Sequence, residues 1–352
     1  MRSDITGRQS IHALPCSAKF SLFVTPSWAH DLFLLFQIVV TNSNAWSAIG
    51  HSLVSEIAMT RLTDSSKIFV KDLLPSNVNG NMSMVSSWAD YMLYTDTNPD
   101  GYLNWNWSGE HHYINIPDYV CQYVPNRDCL DNNCIDGAIQ NYTRRLANTS
   151  LDHVQRQEAL QFLVHYVGDV HQPLHVAFTS DRGGNTVRGN FFSVRTNLHS
   201  LWDTHILQRR IDTDFNQSAA IYFHYLTTLI SSKYVDNITQ WLTCYNQTLF
   251  SACSALWAQE DIDLVCKTVY IAEDAHFMNS SSNFTLGSNY YYRTWPIVEY
   301  RLIQGGIRLG KMINLIEEYG RYTAKATLYN SQPLLIVIVT VCVLHIKQLI
   351  IV

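Results

Sequence analysis

Two histidine–aspartate pairs constrain this chain more than any other feature. His165 and Asp169 stand four residues apart in a window of helical apolar periodicity, and His199 and Asp203 repeat that spacing further on. Residues four apart lie on one helix face, a turn from each other. One such pair is an ordinary surface ion pair or cap. Two of them, with His175 between and an apolar phase that turns them inward, imply that the carboxylates and imidazoles bind something in common. Asp90 ends a Trp-Ala-Asp turn and His112 follows a Trp-rich loop, which extends the set. Imidazole and carboxylate donors without thiolates suit zinc, and less well manganese or iron. Eight of the 14 histidines fall between His111 and His205. Outside the candidate set, His111, His153, His171, His205, His224 and His276 read as surface or supporting residues.

Composition shows where charge for such a site does not come from. Lys plus Arg number 24 against 29 Asp plus Glu, a net charge of −5. That excludes a protein that holds nucleic acid through its own positive field. Charged residues make up 15% of the chain, with 9 Trp and 20 Tyr; a disordered chain would be richer in charge and poorer in aromatics. If the protein acts on a phosphate, something other than Lys and Arg must supply the positive charge.

The ends carry addresses. Arg2, Arg8 and Lys19 precede an apolar run, Leu32 to Val40, and Ser43-Asn44-Ala45 offers small residues at a signal-peptidase site. Residues 1–45 are therefore expected to be a leader, with Trp46 first in the mature chain. Nine N-x-S/T sequons, at Asn81, Asn106, Asn141, Asn148, Asn216, Asn237, Asn246, Asn279 and Asn283, favour a lumenal or external chain bearing N-linked glycans. Six cysteines of the mature region, Cys121, Cys129, Cys134, Cys244, Cys253 and Cys266, contain no C-x-x-C pair and favour disulfides over a thiolate zinc site. A second apolar run from Pro333 to Leu344, followed by Lys347, reads as a C-terminal membrane anchor over 333–352. A lipid-anchor signal removed on processing is the alternative. The protein is expected in the secretory pathway, at the cell surface or secreted, as a monomer.

Between the ends no linker, repeat or charge block interrupts the chain, and 46–320 reads as a single domain. Helical periodicity covers 48–62, 65–73, 85–92, 136–146, 154–170, 197–208, 217–231 and 296–318. β-Branched alternation is confined to stretches such as 186–194, which Gly183-Gly184-Asn185 opens as a turn would. The expected fold is mainly α with one small β-hairpin.

Landmarks in order along the chain resemble a known family. They are W-S-x-x-G-H from Trp46, W-A-D to Asp90, H-Y-I-N from His112, H-Y-V-G-D-x-H-Q-P-L-H from His165, G-G-N from Gly183, N-L-H-S-L-W-D to Asp203, and P-I-V-x-x-R-L-I-Q-G-G-I-R-L from Pro296. They are similar to those of the class I zinc nucleases, single-strand-preferring nucleases and 3′-nucleotidases of the S-one/P-one type. That family shares a helical fold with zinc phospholipase C. The resemblance implies a trinuclear zinc site. One zinc would be held by Asp90, His112, His165 and Asp169, a second by His175, His199 and Asp203. The third would take His51, Asp169 as a bridge, and the free amine and carbonyl oxygen of Trp46. It also implies disulfides Cys129–Cys134, Cys121–Cys266 and Cys244–Cys253.

The same resemblance implies hydrolysis of single-stranded DNA and RNA to 5′-mononucleotides, together with 3′-nucleotidase activity. A zinc-bound hydroxide would attack phosphorus in line, since zinc lowers the pKa of its water to about 7. Asp169 would bridge ions and Tyr113 would stack the substrate base, which requires an unpaired base. Two positions depart from the pattern. Asn115 stands where the family places a carboxylate that orients the attacking water, and Leu93 where it often has a basic phosphate contact. A phospholipase C-like phosphodiesterase and a catalytically weakened surface glycoprotein are the alternative readings.

Overall fold

Among the described residues thirteen α-helices carry the chain from Trp46 onward. The computed structural model describes residues 46–246 and 253–349, the side chains of Asn246 and 323–349 excepted. The expected leader, 1–45, and the side chains of the expected anchor, 333–352, lie outside the described residues. Among the described residues no helix is long and apolar enough to cross a membrane.

The helices are α1 (Ala48–Thr60), α2 (Asp64–Leu73), α3 (Trp88–Tyr91), α4 (Pro99–Trp105), α5 (Pro125–Asp128), α6 (Ile135–Ala147) and α7 (His153–Asp169). They continue as α8 (Leu198–Ser200), α9 (Ile206–Asp214), α10 (Ala219–Ser231), α11 (Asn237–Trp241), α12 (Cys253–Leu264) and α13 (Ser288–Leu349). The fold is mainly α, as periodicity indicates. Local chemistry sets several starts: the side chains of Thr63 and Asp152 accept from the backbone N–H of Ser66 and Gln155, capping α2 and α7.

α7 is the central element. From Ala159 to Asp169 every residue is buried, so its apolar periodicity blurs into an all-round core helix. α1 lies against α13, where glycines let the backbones approach: a Cβ on Gly306 would fall 2.5 Å from the side chain of Ile57, and one on Gly310 2.8 Å from that of Arg61. A buried ionic group braces the far end of α7. Arg301 on α13 sits 2.6 Å from Asp261 and from Glu260 of α12, and donates to the carbonyl of Val170 at 3.3 Å. Arg308 donates to Glu260 and meets His171 Nε2 at 3.0 Å. Removing Arg301 would leave Asp261 buried without its cationic partner, which destabilises the fold.

The expected hairpin is present but is not alone. β3 (Arg188–Phe191) and β4 (Val194–Asn197) pair antiparallel, and the reversal falls at Phe192–Ser193, with Phe192 at φ 51°. The Gly183–Gly184 turn instead precedes β3 and contacts the site. Three further strands escape the sequence reading because each has only three residues: β1 (Ile114–Ile116), β2 (Val176–Phe178) and β5 (Phe284–Leu286). β1 pairs parallel with β2 and β5 parallel with β3, pairings between distant segments that no local pattern announces. α4, α5, α11 and α12 are also additions. The expected helix over 85–92 shortens to α3 behind a 3₁₀ turn, Met82–Met84. The expected 197–208 helix is broken by a π turn, Leu201–His205. Three disulfides tie the surface: Cys121–Cys266, Cys129–Cys134 and Cys244–Cys253.

Candidate metal centre

Seven segments deliver histidines and aspartates to one buried locus. His51 comes from the first turn of α1, Asp90 from α3, His112 from the end of the 3₁₀ turn Asn106–His112, and His165 and Asp169 from the last turns of α7. His175 ends the 3₁₀ turn Pro173–His175, His199 lies in α8, and Asp203 in the π turn. π turns recur at functional sites because they re-aim one side chain within a helix.

Three groups have ligand atoms mutually within 4.8 Å: His51, His165 and Asp169; Asp90, His112 and His165; and His175, His199 and Asp203. Asp169 links the first two. Its Oδ1 lies 3.2 Å from His51 Nε2, while Oδ2 lies 3.0 Å from His112 Nδ1 and 3.1 Å from His165 Nε2. The His51 and His165 rings stack at 4.0 Å between centroids. α1 and α7 meet closely enough for this only because residue 168 is glycine, where a Cβ would fall 2.5 Å from His51 Nδ1.

Backbone carbonyls fix the imidazoles. His165 Nδ1 donates to Ser86 O at 2.7 Å, His175 Nδ1 to His112 O at 2.5 Å, and His199 Nδ1 to Gly183 O at 2.6 Å. Each bond holds a proton on Nδ1 and turns the Nε2 lone pair into the locus, the arrangement that orients metal-binding histidines. The polar shell was not legible beforehand: Ser86, His112 and Gly183 act through their backbones, which leave no side-chain signature. Gln172, which donates to Asp203 Oδ1, carries a weak one, as an amide between the histidines of the 171–175 turn.

The donor set fits a divalent cation. His51 Nε2, Asp90 Oδ1, His112 Nε2, Asp169 Oδ1, His175 Nε2 and Asp203 Oδ2 are all buried without a hydrogen-bond partner. Each such atom costs about 1–3 kcal/mol when left unsatisfied. Burial, with the neighbouring His165, lowers His51 to about 4, and burial with His175 lowers His199 to about 3. Both imidazoles are therefore neutral at ordinary pH, with free lone pairs. Burial pushes the Asp203 carboxyl well up. Burial opposes ionisation of Asp169 too, but the surrounding His165, His175 and His112 outweigh it and hold that carboxyl well below its usual range.

The remaining expected residues border this locus. Trp46 is fully buried, and the N–H of Ser47 donates to the carbonyl of Asp203 at 3.0 Å, which brings this segment against the π turn. Tyr113 precedes β1 and is 38% exposed. Strand alternation puts Asn115 on the same exposed side as Tyr113, with Ile114 and Ile116 buried beneath. Leu93 is half-buried, three residues past Asp90. Arg182, on the Gly183–Gly184 turn, is exposed and near enough to Tyr113 for its charge to act on the phenol.

Comparison with known proteins meets this geometry. The family model described as S1/P1 Nuclease matches residues 46–318. Endonuclease 3 of Arabidopsis thaliana is 36% identical over 305 residues, 85% of this chain and 98% of that protein. Nuclease P1 of Penicillium citrinum is 30% identical over 284 residues, 80% of this chain and all of that protein. Nuclease S1 of Aspergillus oryzae is 30% identical over 275 residues, 77% of this chain and 91% of that protein. The match opens at Trp46, beside the His51 helix, and closes in α13, so it takes in every residue of the buried locus. The chain belongs to the S1/P1 nuclease family.

Proposed function

We propose that this nuclease is zinc-dependent, cuts single-stranded DNA and RNA to 5′-mononucleotides, and removes phosphate from 3′-nucleotides. The observation that carries the reading is the set of three adjoining His/Asp groups with buried, unpaired donor atoms, two of them sharing His165. Asp90, His112, His165 and Asp169 would hold one zinc, and His175, His199 and Asp203 a second. His51, Asp169 and the amine and carbonyl of a processed Trp46 would hold a third. Bound zinc supplies Lewis acidity, lowering the pKa of water to about 7 and offsetting charge on the phosphoryl group.

The protein's own side chains do the rest. Three carbonyl-anchored histidines keep their Nε2 atoms aimed inward. Tyr113 offers an exposed ring on which an unpaired base stacks, and duplex DNA presents no free base face. Asn115, on the same side of β1, hydrogen-bonds a water or base edge but accepts no proton. Arg182 brings a positive charge to the rim, near Tyr113, where Leu93 brings none.

The chain is proposed to act in the secretory pathway or at the cell surface, as a monomeric glycoprotein whose 333–352 segment anchors it. Three disulfides favour an oxidising compartment. None of the eight sequon asparagines with a described side chain is buried.

Metal analysis of the secreted protein tests the centre, with three zinc ions per chain expected. Single-stranded DNA, duplex DNA, 3′-AMP and phosphatidylcholine, each with and without chelator, test the substrate. Chelator-sensitive turnover of the first and third is expected; turnover of phosphatidylcholine alone would overturn the reading. One extra residue before Trp46 is expected to remove one zinc and most activity.

A further inference from the structure

A cavity of about 290 Å³ opens away from the His/Asp locus, lined by Asp118, Tyr119, Phe178, Asp181, Phe277 and the Asn279–Ser281 turn. It stands near the lower end of the about 300–1,000 Å³ range of small-ligand sites, the scale of one sugar ring. Tyr119 is 68% exposed, unusually so for a large aromatic. Its ring sits 5.8 Å from Phe178 and 5.5 Å from Phe277, so the three make an aromatic wall. The lining holds two carboxylates and no Lys or Arg. A nucleotide phosphate would be repelled there, whereas a neutral polyol donates its hydroxyls to carboxylates and lays its C–H face on aromatic carbon.

The wall of this cavity is itself a sequon. Asn279 Oδ1 accepts from the backbone N–H of Ser281 at 2.9 Å and from its hydroxyl. Both bonds fall on the amide oxygen, and among the described residues the Asn279 Nδ2 has no partner. Asn81 makes the same two bonds with Ser83, yet it does not line this cavity. What sets Asn279 apart is the aromatic recess beside it.

We propose that Asn279 is N-glycosylated and that its innermost N-acetylglucosamine seats in this cavity, its C–H face on Tyr119 and its polar edge towards Asp118 and Asp181. The modification joins Asn279 Nδ2 to C1 of the sugar of a lipid-linked oligosaccharide diphosphate. The bond from C1 to the diphosphate breaks, the lipid diphosphate leaves, and the amide releases one proton. The seated sugar covers Tyr119 and staples the Asn279 turn to the end of β1 and to β2. The proposal rests on the secretory reading above.

The test uses the full chain from a eukaryotic secretory host, with glycopeptides mapped by mass spectrometry and glycans trimmed to one sugar. Asn279 is expected to be occupied. N279Q and S281A, which remove the sequon in different ways, are each expected to lower Tm by about 2–4 °C. Y119A is expected to lower Tm in the glycosylated protein and much less in the N279Q background, while N81Q shows no such coupling. Bare Asn279 beside occupied neighbouring sequons would overturn the seat alone, as would additive Y119A and N279Q effects. Nine bare sequons in secreted protein would overturn it too, and a chain that never enters the pathway would overturn the secretory reading with it.

Discussion

Gln172 Nε2 donates to Asp203 Oδ1 at 2.5 Å, while Gln172 Oε1 accepts from the Leu174 N–H at 2.7 Å. One fully buried side chain thus ties the turn that carries His175 to the turn that carries Asp203, and leaves Asp203 Oδ2 free to face His199. Q172L keeps the volume and removes both bonds. We expect it to weaken zinc at the His175–His199–Asp203 group by about 10–100-fold, measured by chelator competition. Retention of all three ions at wild-type affinity would refute the positioning role.

In the proposed function Tyr113 acts through its ring. Y113A is expected to cost about 1–3 kcal/mol of base stacking, read as a raised KM for single-stranded DNA with kcat nearly kept. Y113F should restore KM. A Y113A enzyme with unchanged KM would remove Tyr113 from the substrate path.

Asn115 lacks the proton-accepting capacity of a carboxylate. N115D should raise kcat near neutral pH, by up to about 10²-fold, and add an acidic limb to the pH profile as the new carboxyl protonates. Zinc content should not change. An unaltered profile would mean that residue 115 does not touch the attacking water.

His199 has a pH signature in the chelated protein. Its folded pKa, about 3, lies below the ordinary value of 6.5, so between these values the unfolded chain holds a proton that the folded chain refuses. This contribution to stability is therefore present above pH 6.5 and is lost as pH falls. Relative to H199Q, chelated wild type should lose about 1.4 kcal/mol per pH unit across that window, followed by urea unfolding at pH 7, 6 and 5. A constant difference would show His199 to be solvated.

The sequence displays this centre unevenly. His165, Asp169, His199 and Asp203 stand out because helical spacing and apolar phase are local properties that a linear reading can follow. His51 and Trp46 do not; only the family resemblance joins them to residues over a hundred positions away, and the close packing at Gly168 is what brings α1 to α7. The short strands were missed because parallel pairing of three-residue segments depends on contacts between distant parts of the chain. The π turn reads as continuous helix in the sequence because its extra residue leaves the apolar periodicity nearly intact.

The glycines of α13 carry a consequence for damaged genes. Gly306 and Gly310 seat α1, and Arg301 and Arg308 brace the end of α7, yet all four lie far downstream of Asp203. A transcript with a stop codon just before Arg301 would still encode every histidine and aspartate of the centre. Its product would have lost the surface on which α1 presents His51, along with the clamp behind Asp169. A motif search would score such an allele as intact, although the protein it makes could not assemble the site.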